Sequence, residues 1–357
     1  MEGVCRYMHE TLRRMVLNHP EDQFIFLFDR PYDESFVYAK NVIPIKIGPP
    51  TRHPLLWYYW FEHQVPKILK KYKVDVFLSP DTYNSLNTNV PSVIVTHDIA
   101  YEHFPEHIPN KTLKYYRKYF KAFHEKAARI VAVSQTTKND IIATYGIEES
   151  KIDVAYNACP PGFGIKGDDF KVGIRDKYSE GKPFFIYVGS IHPRKNVLRL
   201  LEAFDEFKKT NDTHKLIIIG RKAWKTKSFD NHLNNTRNKK DIHVHHEINE
   251  ALPDIMAAAS ALVYVSIFEG FGIPLLEAMQ SGVPVITSNV SSMPEVAGDA
   301  AILVDPFDPN EIAEGMKKVL LPNVKDRLIP MGTERVKNFS WDQSAAVIYA
   351  SLQKAIK

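Results

Sequence analysis

Short apolar runs alternate with amphipathic stretches along the first half of the chain. The runs that predict buried strands are residues 23–28, 75–78, 92–96 and 129–133. Helical patterns precede or separate them at residues 7–16, 57–72 and 111–128. Strands that alternate with helices are typical of a parallel sheet covered by helices on both faces. The first half is therefore predicted to be an α/β domain.

The same alternation restarts in the second half. The predicted strands are residues 184–188, 215–219, 261–265 and 283–287, and the predicted helices are 196–208, 252–259 and one that ends at 281. Residues 157–182, between the two halves, contain a proline pair, several glycines and two aspartates, a composition typical of a connection between domains. We therefore expect two doubly wound domains, with ligands bound in the cleft at the carboxyl ends of the strands.

A literal Gly-x-Gly-x-x-Gly pattern occupies residues 162–167. In dinucleotide-binding proteins this motif follows a strand and opens a helix. Here Pro160-Pro161 comes before it and Asp168-Asp169 comes after it. We interpret the pattern as part of the connection and not as a nucleotide site.

Composition places the chain among ordinary globular proteins. The 357 residues are 44% apolar and 25% charged, which is enough for two hydrophobic cores. The net charge of +4 is small, so binding to nucleic acid is disfavoured. Cys5 and Cys159 form neither a disulfide framework nor a zinc motif. The sequence has no long apolar span or signal-peptide pattern, and we expect a cytoplasmic protein, with contact to the inner face of the membrane left open.

Two carboxylates stand in the segment that follows the predicted strand 261–265. Glu269 lies in a glycine-containing turn, Pro274 suits the first turn of a helix, and Glu277 falls within that helix. A turn with free N–H groups at a helix start favours anions. Carboxylates would repel a phosphate, so we expect them to bind hydroxyl groups, one on a sugar and one on a ribose.

Two cations follow the predicted strand 184–188. Gly189 permits a tight turn, Arg194 and Lys195 come next, and Asn196 can cap the following helix. Cations at a helix start oppose the helix dipole, unless a diphosphate neutralises them. The alternative interpretation is a solvated basic turn.

These motifs occur in an order that resembles a known enzyme family. They are Gly189 with Arg194-Lys195-Asn196, residues 269–277, Ser281-Gly282-Val283-Pro284-Val285 and Pro294-Glu295-Val296. Together they resemble the retaining glycosyltransferases of family 4, and the mannosyltransferases in particular, along nearly the whole chain. The resemblance implies the GT-B fold, an α/β architecture of two doubly wound Rossmann-like domains with an interdomain cleft and a C-terminal helix that crosses back.

The same resemblance sets the expected domain limits. Residues 1–165 would form an acceptor-side domain whose first strand is missing. Residues 166–338 would form the nucleotide-sugar-binding domain, and residues 339–357 a C-terminal helix that packs back across the junction. Family members usually begin with a strand and a glycine-rich turn, so we expect the native reading frame to start upstream of Met1.

The resemblance also assigns roles to matching positions. Arg194 and Lys195 would hold the donor diphosphate, Glu269 would contact the donor sugar, and Glu277 would contact the ribose. Further donor contacts are expected from Gly189, Ser190, Phe271, Gly272 and Ile273. His97, which with Asp98 ends a strand, resembles the family's histidine that faces the donor sugar. The alternative for His97 is a histidine whose hydrogen bonds are satisfied at the end of the strand.

Leaving-group chemistry follows from these roles. Cleavage of the anomeric bond puts negative charge on the diphosphate, where fixed cations and N–H donors act most strongly. No Asp-x-Asp triplet occurs in the sequence, so we expect neither a metal nor any other cofactor. The family implies retention of anomeric configuration. No carboxylate nucleophile is evident, which favours front-side attack by the acceptor hydroxyl.

Acceptor and donor are predicted only by class. Residues 111–129 are basic with interleaved aromatics, which suits an anionic membrane and a lipid-linked acceptor, or else an aromatic core stripe with a solvated basic face. GDP-mannose is the preferred donor, with UDP-glucose and UDP-N-acetylglucosamine as alternatives. A catalytically silent nucleotide-sugar-binding protein is the competing class. Linkage and oligomeric state are not predicted.

Overall fold

The computed structural model describes residues 3–223, 226–246 and 251–357. The chain forms two compact units: an N-terminal unit of Met1–Asn157 with Ser340–Lys357, and a C-terminal unit of Ala158–Phe339. The strands are β1 (Phe24–Phe28), β2 (Val42–Lys46), β3 (Phe77–Ser79), β4 (Ser92–Thr96), β5 (Arg129–Ala132), β6 (Ile152–Val154), β7 (Phe184–Val188), β8 (Lys215–Ile219), β9 (Ile242–His245), β10 (Ala261–Tyr264), β11 (Val285–Ser288) and β12 (Ala301–Val304). The helices are α1 (Gly3–Asn18), α2 (Pro54–Tyr59), α3 (Val65–Lys71), α4 (Ala100–His103), α5 (Asn110–Lys126), α6 (Gln135–Tyr145), α7 (Asp168–Ser179), α8 (Val197–Lys208), α9 (Lys227–Asn235), α10 (Leu252–Ala258), α11 (Ile273–Gln280), α12 (Met293–Ala297), α13 (Pro309–Val319), α14 (Pro322–Val336) and α15 (Trp341–Ile356).

The N-terminal unit contains two parallel sheets. One pairs β1 with β2, and the other has the strand order β3-β4-β5-β6. Every residue of β4 is buried, which agrees with its uninterrupted apolar pattern and its central place in the sheet. Because β4 ends at Thr96, the next residue, His97, lies at the carboxyl edge of this sheet.

The chain returns to the N-terminal unit for its last helix. Ser340 caps α15 by accepting a hydrogen bond from the amide of Asp342. The helix packs against α1, β4, β5 and β6. Tyr7 of α1 is fully buried there, with its ring 5.9 Å from that of Trp341 and its hydroxyl donating to the carbonyl of Ala155. The residues of α15 therefore belong to the core of a unit formed mainly by the start of the chain.

The C-terminal unit is built on one six-stranded parallel sheet. Its strand order is β12-β11-β10-β7-β8-β9. The chain runs outward from β7 to one edge and then restarts beside β7 with β10, so the order reverses between these two strands. A reversal of this kind separates the two following loops and opens a binding crevice at the carboxyl ends of the strands. The loops after β7 and β10, which carry the predicted donor residues, therefore lie side by side.

Two predicted segments differ from the structure. The connection predicted over residues 157–182 contains the helix α7, whose first turn holds two aspartates that favour a helix N-terminus. The helix predicted over residues 57–72 is divided by a π-helical turn, Trp60–Gln64, just before Pro66. As predicted, no strand leads directly into the glycines of residues 162–167. No helix in the described ranges combines the length and apolar composition needed to span a bilayer.

Candidate active site

The turn after β7 depends on two glycines that lie against each other. Gly189 and Gly220 have φ values of +151° and +158°, outside the usual range of other residues. A Cβ on Gly220 would lie 1.8 Å from the Gly189 carbonyl oxygen, and one on Gly189 would lie 2.9 Å from the Tyr187 hydroxyl. The carbonyl of the next residue, Ser190, accepts a hydrogen bond of 3.0 Å from that hydroxyl. The predicted contacts Gly189 and Ser190 thus form a tight, anchored turn.

The prediction that the Asn196 side chain caps the following helix is wrong. Asn196 precedes α8, but its side chain does not cap the helix. The backbone is left-handed, with φ at +62°, and the side-chain amide donates to the carbonyls of Val265 and Pro306 at 2.9 and 2.6 Å. Asn196 therefore fastens the end of the cationic turn to the end of β10 and to the loop after β12.

The turn that carries Glu269 is held by two serines that the sequence analysis did not identify. The Ser291 hydroxyl accepts from the amide of Glu269 at 3.0 Å and donates to its carbonyl at 2.7 Å. The buried Ser292 hydroxyl lies 2.9 Å from the same carbonyl and 2.8 Å from that of Phe271. Both serines precede the Pro294-Glu295-Val296 motif, but their spacing alone does not show which carbonyls they reach.

The start of α11 fits the prediction for the rest of this segment. Gly272 has a φ of +109°, and a Cβ there would lie 2.6 Å from Cε of Met293. Ile273 begins the helix and Pro274 occupies its first turn. Phe271 is buried, with its ring 5.5 Å from that of Phe339. Glu277 lies in the same helix, and its side chain is buried as well.

Three predicted side chains meet at the boundary between β7 and β10. Lys195 Nζ lies 2.5 Å from Oε1 of Glu269, and Arg194 Nη1 lies 3.4 Å from its Oε2. Arg194 also donates to the Phe268 carbonyl at 2.8 Å. The side chains of Arg194 and Lys195 are only 20% and 17% exposed. The alternative of a solvated basic turn is therefore wrong.

The charge of Glu269 is fixed by these neighbours. The residue is 7% exposed, and burial alone would raise the pKa of its carboxyl group. The positive charges of Lys195 and Arg194 outweigh burial and lower that pKa to about 2. Glu269 is therefore a carboxylate at any physiological pH. The cluster of Arg194, Lys195 and Glu269, which we call the donor triad after the role proposed for it below, carries a net charge of +1.

His97 lies in the N-terminal unit, at the end of β4 as predicted. Its Nε2 is 3.0 Å from the Pro80 carbonyl, so this nitrogen carries the proton and donates. The ring packs edge-on against Tyr7 at 5.1 Å. One ring nitrogen of His97 therefore has a hydrogen-bond partner within the unit. This agrees in part with the alternative of a histidine whose hydrogen bonds are satisfied at the end of the strand.

Comparisons with known proteins agree with this architecture. Two parallel α/β units, one with polar loops at a strand-order reversal, are the architecture of the GT-B class of glycosyltransferases, and the solved structures of similar fold belong to that class. Residues 1–162 match the family described as Glycosyltransferase Family 4, and residues 174–332 match Glycosyl transferases group 1. The chain belongs to the family 4 glycosyltransferases, and it is a hexosyltransferase.

Similar proteins align with most of this chain or with nearly all of it. The O-antigen chain mannosyltransferase B of Escherichia coli is 30% identical, over 96% of this chain and 93% of the relative. The O-antigen chain mannosyltransferase RfbU of Salmonella typhimurium is 29% identical over 81% and 78% of the two chains. The crystal structure of Anabaena HepE with UDP and glucose has a TM-score of 0.74 at 16% identity, covering 96% of this chain and 95% of that one, and shows the same fold.

Proposed function

We propose that this enzyme transfers mannose from GDP-mannose to a saccharide or lipid-linked saccharide acceptor during synthesis of a cell-surface polysaccharide such as lipopolysaccharide. The observation that carries the proposal is the donor triad, which places two largely buried cations and a buried carboxylate together at the strand-order reversal. The names of the two relatives, both O-antigen chain mannosyltransferases, support the choice of sugar and product.

Arg194 and Lys195 stabilise the leaving nucleotide in this proposal. Negative charge develops on the diphosphate as the anomeric bond breaks, and cations fixed in a desolvated site stabilise that charge without reorganising. Lys195 supplies a compact charge, and Arg194 supplies a planar fork that matches two phosphate oxygens. The turn at Ser190 and the backbone N–H groups at Phe271, Gly272 and Ile273 add hydrogen-bond donors. Gly189, whose own N–H donates to the Ile219 carbonyl at 2.9 Å, gives the turn its shape.

Glu269 binds hydroxyl groups of the transferred sugar. Because it remains ionised and already pairs with two cations, it acts as a hydrogen-bond acceptor and not as a proton donor. Glu277, buried in α11, accepts from the ribose hydroxyls. His97 keeps the role implied by the family resemblance, a contact with the transferred sugar. The acceptor hydroxyl then attacks from the face that the diphosphate leaves, which retains the anomeric configuration.

The reaction is proposed to need no metal ion. The donor triad supplies the positive charge that a metal would otherwise bring to the diphosphate. In the described part of the chain, the group of three side chains close enough to share an ion is His19, Glu21 and Asp22, which belongs to the N-terminal unit. Transfer should therefore persist in EDTA, and loss of activity that Mg²⁺ or Mn²⁺ restores would contradict this step.

The choice of donor is tested by a panel of nucleotide sugars. Ligands that bind the native state raise the apparent melting temperature, so GDP-mannose should raise it more than UDP-glucose or UDP-N-acetylglucosamine. Transfer of labelled mannose to a mannose-containing oligosaccharide should follow the same order. Binding without transfer under all conditions would favour the competing class, a catalytically silent nucleotide-sugar-binding protein.

We also propose that one face of the N-terminal unit binds an anionic membrane surface. Tyr115, Phe120 and Phe123 of α5 are buried, so these aromatics form core contacts as the alternative predicted. The exposed lysines of α5 are Lys111, Lys114, Lys118, Lys121 and Lys126. Beside them, α2 presents Leu55, which is 72% exposed, with Tyr58 and Tyr59 on the same helical face.

Contacts between the two helices join these features into one surface. The Tyr58 ring lies 5.8 Å from that of Tyr119, and Lys118 Nζ lies 4.9 Å from the centre of the Tyr119 ring. Apolar and aromatic groups beside lysines suit the boundary between lipid headgroups and acyl chains. A surface of this kind would bring the enzyme to a lipid-linked acceptor.

Flotation with vesicles tests the membrane proposal. Binding should require an anionic lipid such as phosphatidylglycerol, weaken with salt, and fall in a Leu55→Ser, Tyr58→Ser double variant. Leu321→Ser, at an exposed leucine of the C-terminal unit, is the matched control and should leave binding unchanged. Equal flotation with neutral and anionic vesicles, or none with either, would contradict the proposal.

A further inference from the structure

A buried tyrosine joins two members of the donor triad. Tyr264, the last residue of β10, is 2% exposed. Its hydroxyl donates to Oε1 of Glu269 at 2.9 Å and accepts from Nζ of Lys195 at 3.1 Å. One hydroxyl group thus bonds to the carboxylate and to the ammonium group that pair with each other at 2.5 Å.

The surrounding structure fixes the position of this hydroxyl. Tyr264 pairs in register with Thr287 of β11, whose hydroxyl donates to the Tyr264 carbonyl at 2.8 Å. The Tyr264 ring is stacked 5.9 Å from that of Tyr187, which is itself fully buried. A buried aromatic side chain on a central strand has little rotational freedom, whereas the lysine side chain has four rotatable bonds. The rigid Tyr264 side chain therefore sets the position of the flexible Lys195 side chain.

The Tyr264 hydroxyl also keeps its proton. Burial raises its pKa well above the ordinary value of 10, and the neighbouring charge of Glu269 raises it further. The group consequently remains a neutral donor to the carboxylate over the whole working pH range. Its hydrogen bonds have one fixed direction: from Lys195 to Tyr264 to Glu269.

We propose that Tyr264 is a positioning residue of the donor site, whose hydroxyl holds the Lys195 ammonium group and the Glu269 carboxylate in a fixed mutual geometry. The inference rests on the proposed function of Lys195 at the donor diphosphate. Tyr264 acts through Lys195 and Glu269, with no contact of its own to the donor. Its effect should therefore become much smaller when Lys195 no longer carries a charge, since only the bond to Glu269 is then left.

A double-variant cycle tests this coupling. Tyr264→Phe keeps the ring and removes the hydroxyl, and Lys195→Met keeps most of the lysine stem and removes the charge. In the wild-type background, Tyr264→Phe should lower kcat/KM by at least about tenfold, because two hydrogen bonds to charged groups are lost. In the Lys195→Met background, the same change should alter kcat/KM by less than about twofold, since residues that act together are not additive.

Ser179→Ala is the structural control. It removes a buried hydroxyl of the same unit that bonds to the Arg175 and Lys182 carbonyls, with no contact to Tyr264 or the donor triad. Its effect on kcat/KM should be similar in both backgrounds. Equal effects of Tyr264→Phe in the two backgrounds, or no effect of Tyr264→Phe while the wild type transfers normally, would overturn the inference and leave the proposed function intact.

Binding of GDP, measured by calorimetry, separates this inference from the proposed function. If the wild type binds GDP but transfers no sugar, the proposed function fails. The coupling between Tyr264 and Lys195 is then read from GDP affinity across the same four proteins, where non-additive changes support the inference and additive ones overturn it. If the wild type binds neither GDP nor UDP, both proposals are overturned.

Discussion

The carboxyl edge of the four-stranded sheet in the N-terminal unit and that of the six-stranded sheet in the C-terminal unit are organised by different kinds of contact. In the C-terminal unit, the edge is built from charged groups and hydrogen bonds. Tyr264 bonds to the donor triad, and Asn196 and two serines hold the turns that carry it. In the N-terminal unit, His97 is held by one carbonyl and one aromatic ring. Beyond it lies a cluster of aromatic side chains centred on Tyr101, Tyr115 and Phe120.

The difference matches the chemistry expected at each edge. A diphosphate leaving group needs charges held at fixed distances before the reaction begins, which ion pairs and buried hydrogen bonds provide. A sugar presents hydroxyl groups and apolar ring faces, which suit aromatic side chains and hydrogen-bonding groups. The comparison therefore predicts that substitutions in the C-terminal unit affect donor chemistry strongly, whereas those near His97 have smaller effects.

Loss of the Lys195 charge should have the largest effect. Lys195→Met is expected to lower kcat by about 10²- to 10³-fold, the usual loss when a preorganised group that stabilises developing charge is removed. The assay is transfer of labelled sugar under saturating donor. Lys209→Met, at an exposed lysine of the same unit, is the matched control and should retain wild-type activity. A Lys195→Met enzyme within threefold of wild type would contradict the proposed role.

The ionisation of Glu269 should appear in the pH dependence of stability. Its pKa falls from an ordinary 4.5 to about 2 in the folded protein, a difference worth about 3 kcal/mol of the free energy of unfolding. Because the folded-state pKa is the lower one, this contribution is complete above pH 4.5 and is lost as the pH falls towards 2.

Chemical denaturation of the wild type and Glu269→Gln at a series of pH values measures this contribution. The difference in stability between the two proteins should be constant from pH 5 to 7 and should shrink below about pH 4.5. A difference that does not change with pH would show that Glu269 carries no depressed pKa.

The turn that carries the cations should lose stability without its amide anchor. Asn196→Ala removes two buried hydrogen bonds, leaves two carbonyls unpaired and keeps a strained left-handed backbone, at a cost of about 2–3 kcal/mol. Asn196→Gly removes the same bonds but accepts the backbone angle, so it should be about 1 kcal/mol more stable than Asn196→Ala. Equal stability of the two variants would argue against strain at this position.

Among these substitutions, those at His97 should have the smallest effect, and they test the difference between the two sheet edges. His97→Ala is expected to lower kcat by about tenfold and to leave the affinity for GDP unchanged, because the nucleotide contacts are proposed to come from the C-terminal unit. His97→Asn, which keeps a donor for the Pro80 carbonyl, serves as the control for loss of local structure. A fall in GDP affinity in His97→Ala would contradict the distinction between the two edges.

The sequence predicted most accurately the strands that are buried on both faces. The strands β4, β7 and β8 begin and end where the apolar runs do, because strands buried on both faces require uninterrupted apolar residues. The strands β2, β6, β9 and β12 were not predicted. Asp153 interrupts the apolar pattern of β6, and His243 and His245 interrupt that of β9. The helix α7 was taken for a connection, because glycines and prolines before it resemble a linker.

The residues proposed to bind the donor were identified by motif, but the groups that hold them in position were not. Motifs placed Arg194, Lys195 and Glu269 near one site, and the structure brings them into direct contact. Tyr264 was read only as part of an apolar strand, and Asn196 only as a cap. A one-dimensional pattern shows which faces are buried. It does not show which carbonyl or carboxylate a buried polar group will reach after the strands have paired.

The most direct test of the account is release of GDP from GDP-mannose, measured in EDTA with and without a mannose-containing acceptor. The donor triad predicts that the wild type releases GDP when acceptor is present and that Glu269→Ala, whose fold is checked by circular dichroism, releases less than about 1% as much. Equal release by the wild type and by Glu269→Ala would contradict the assignment of the donor site.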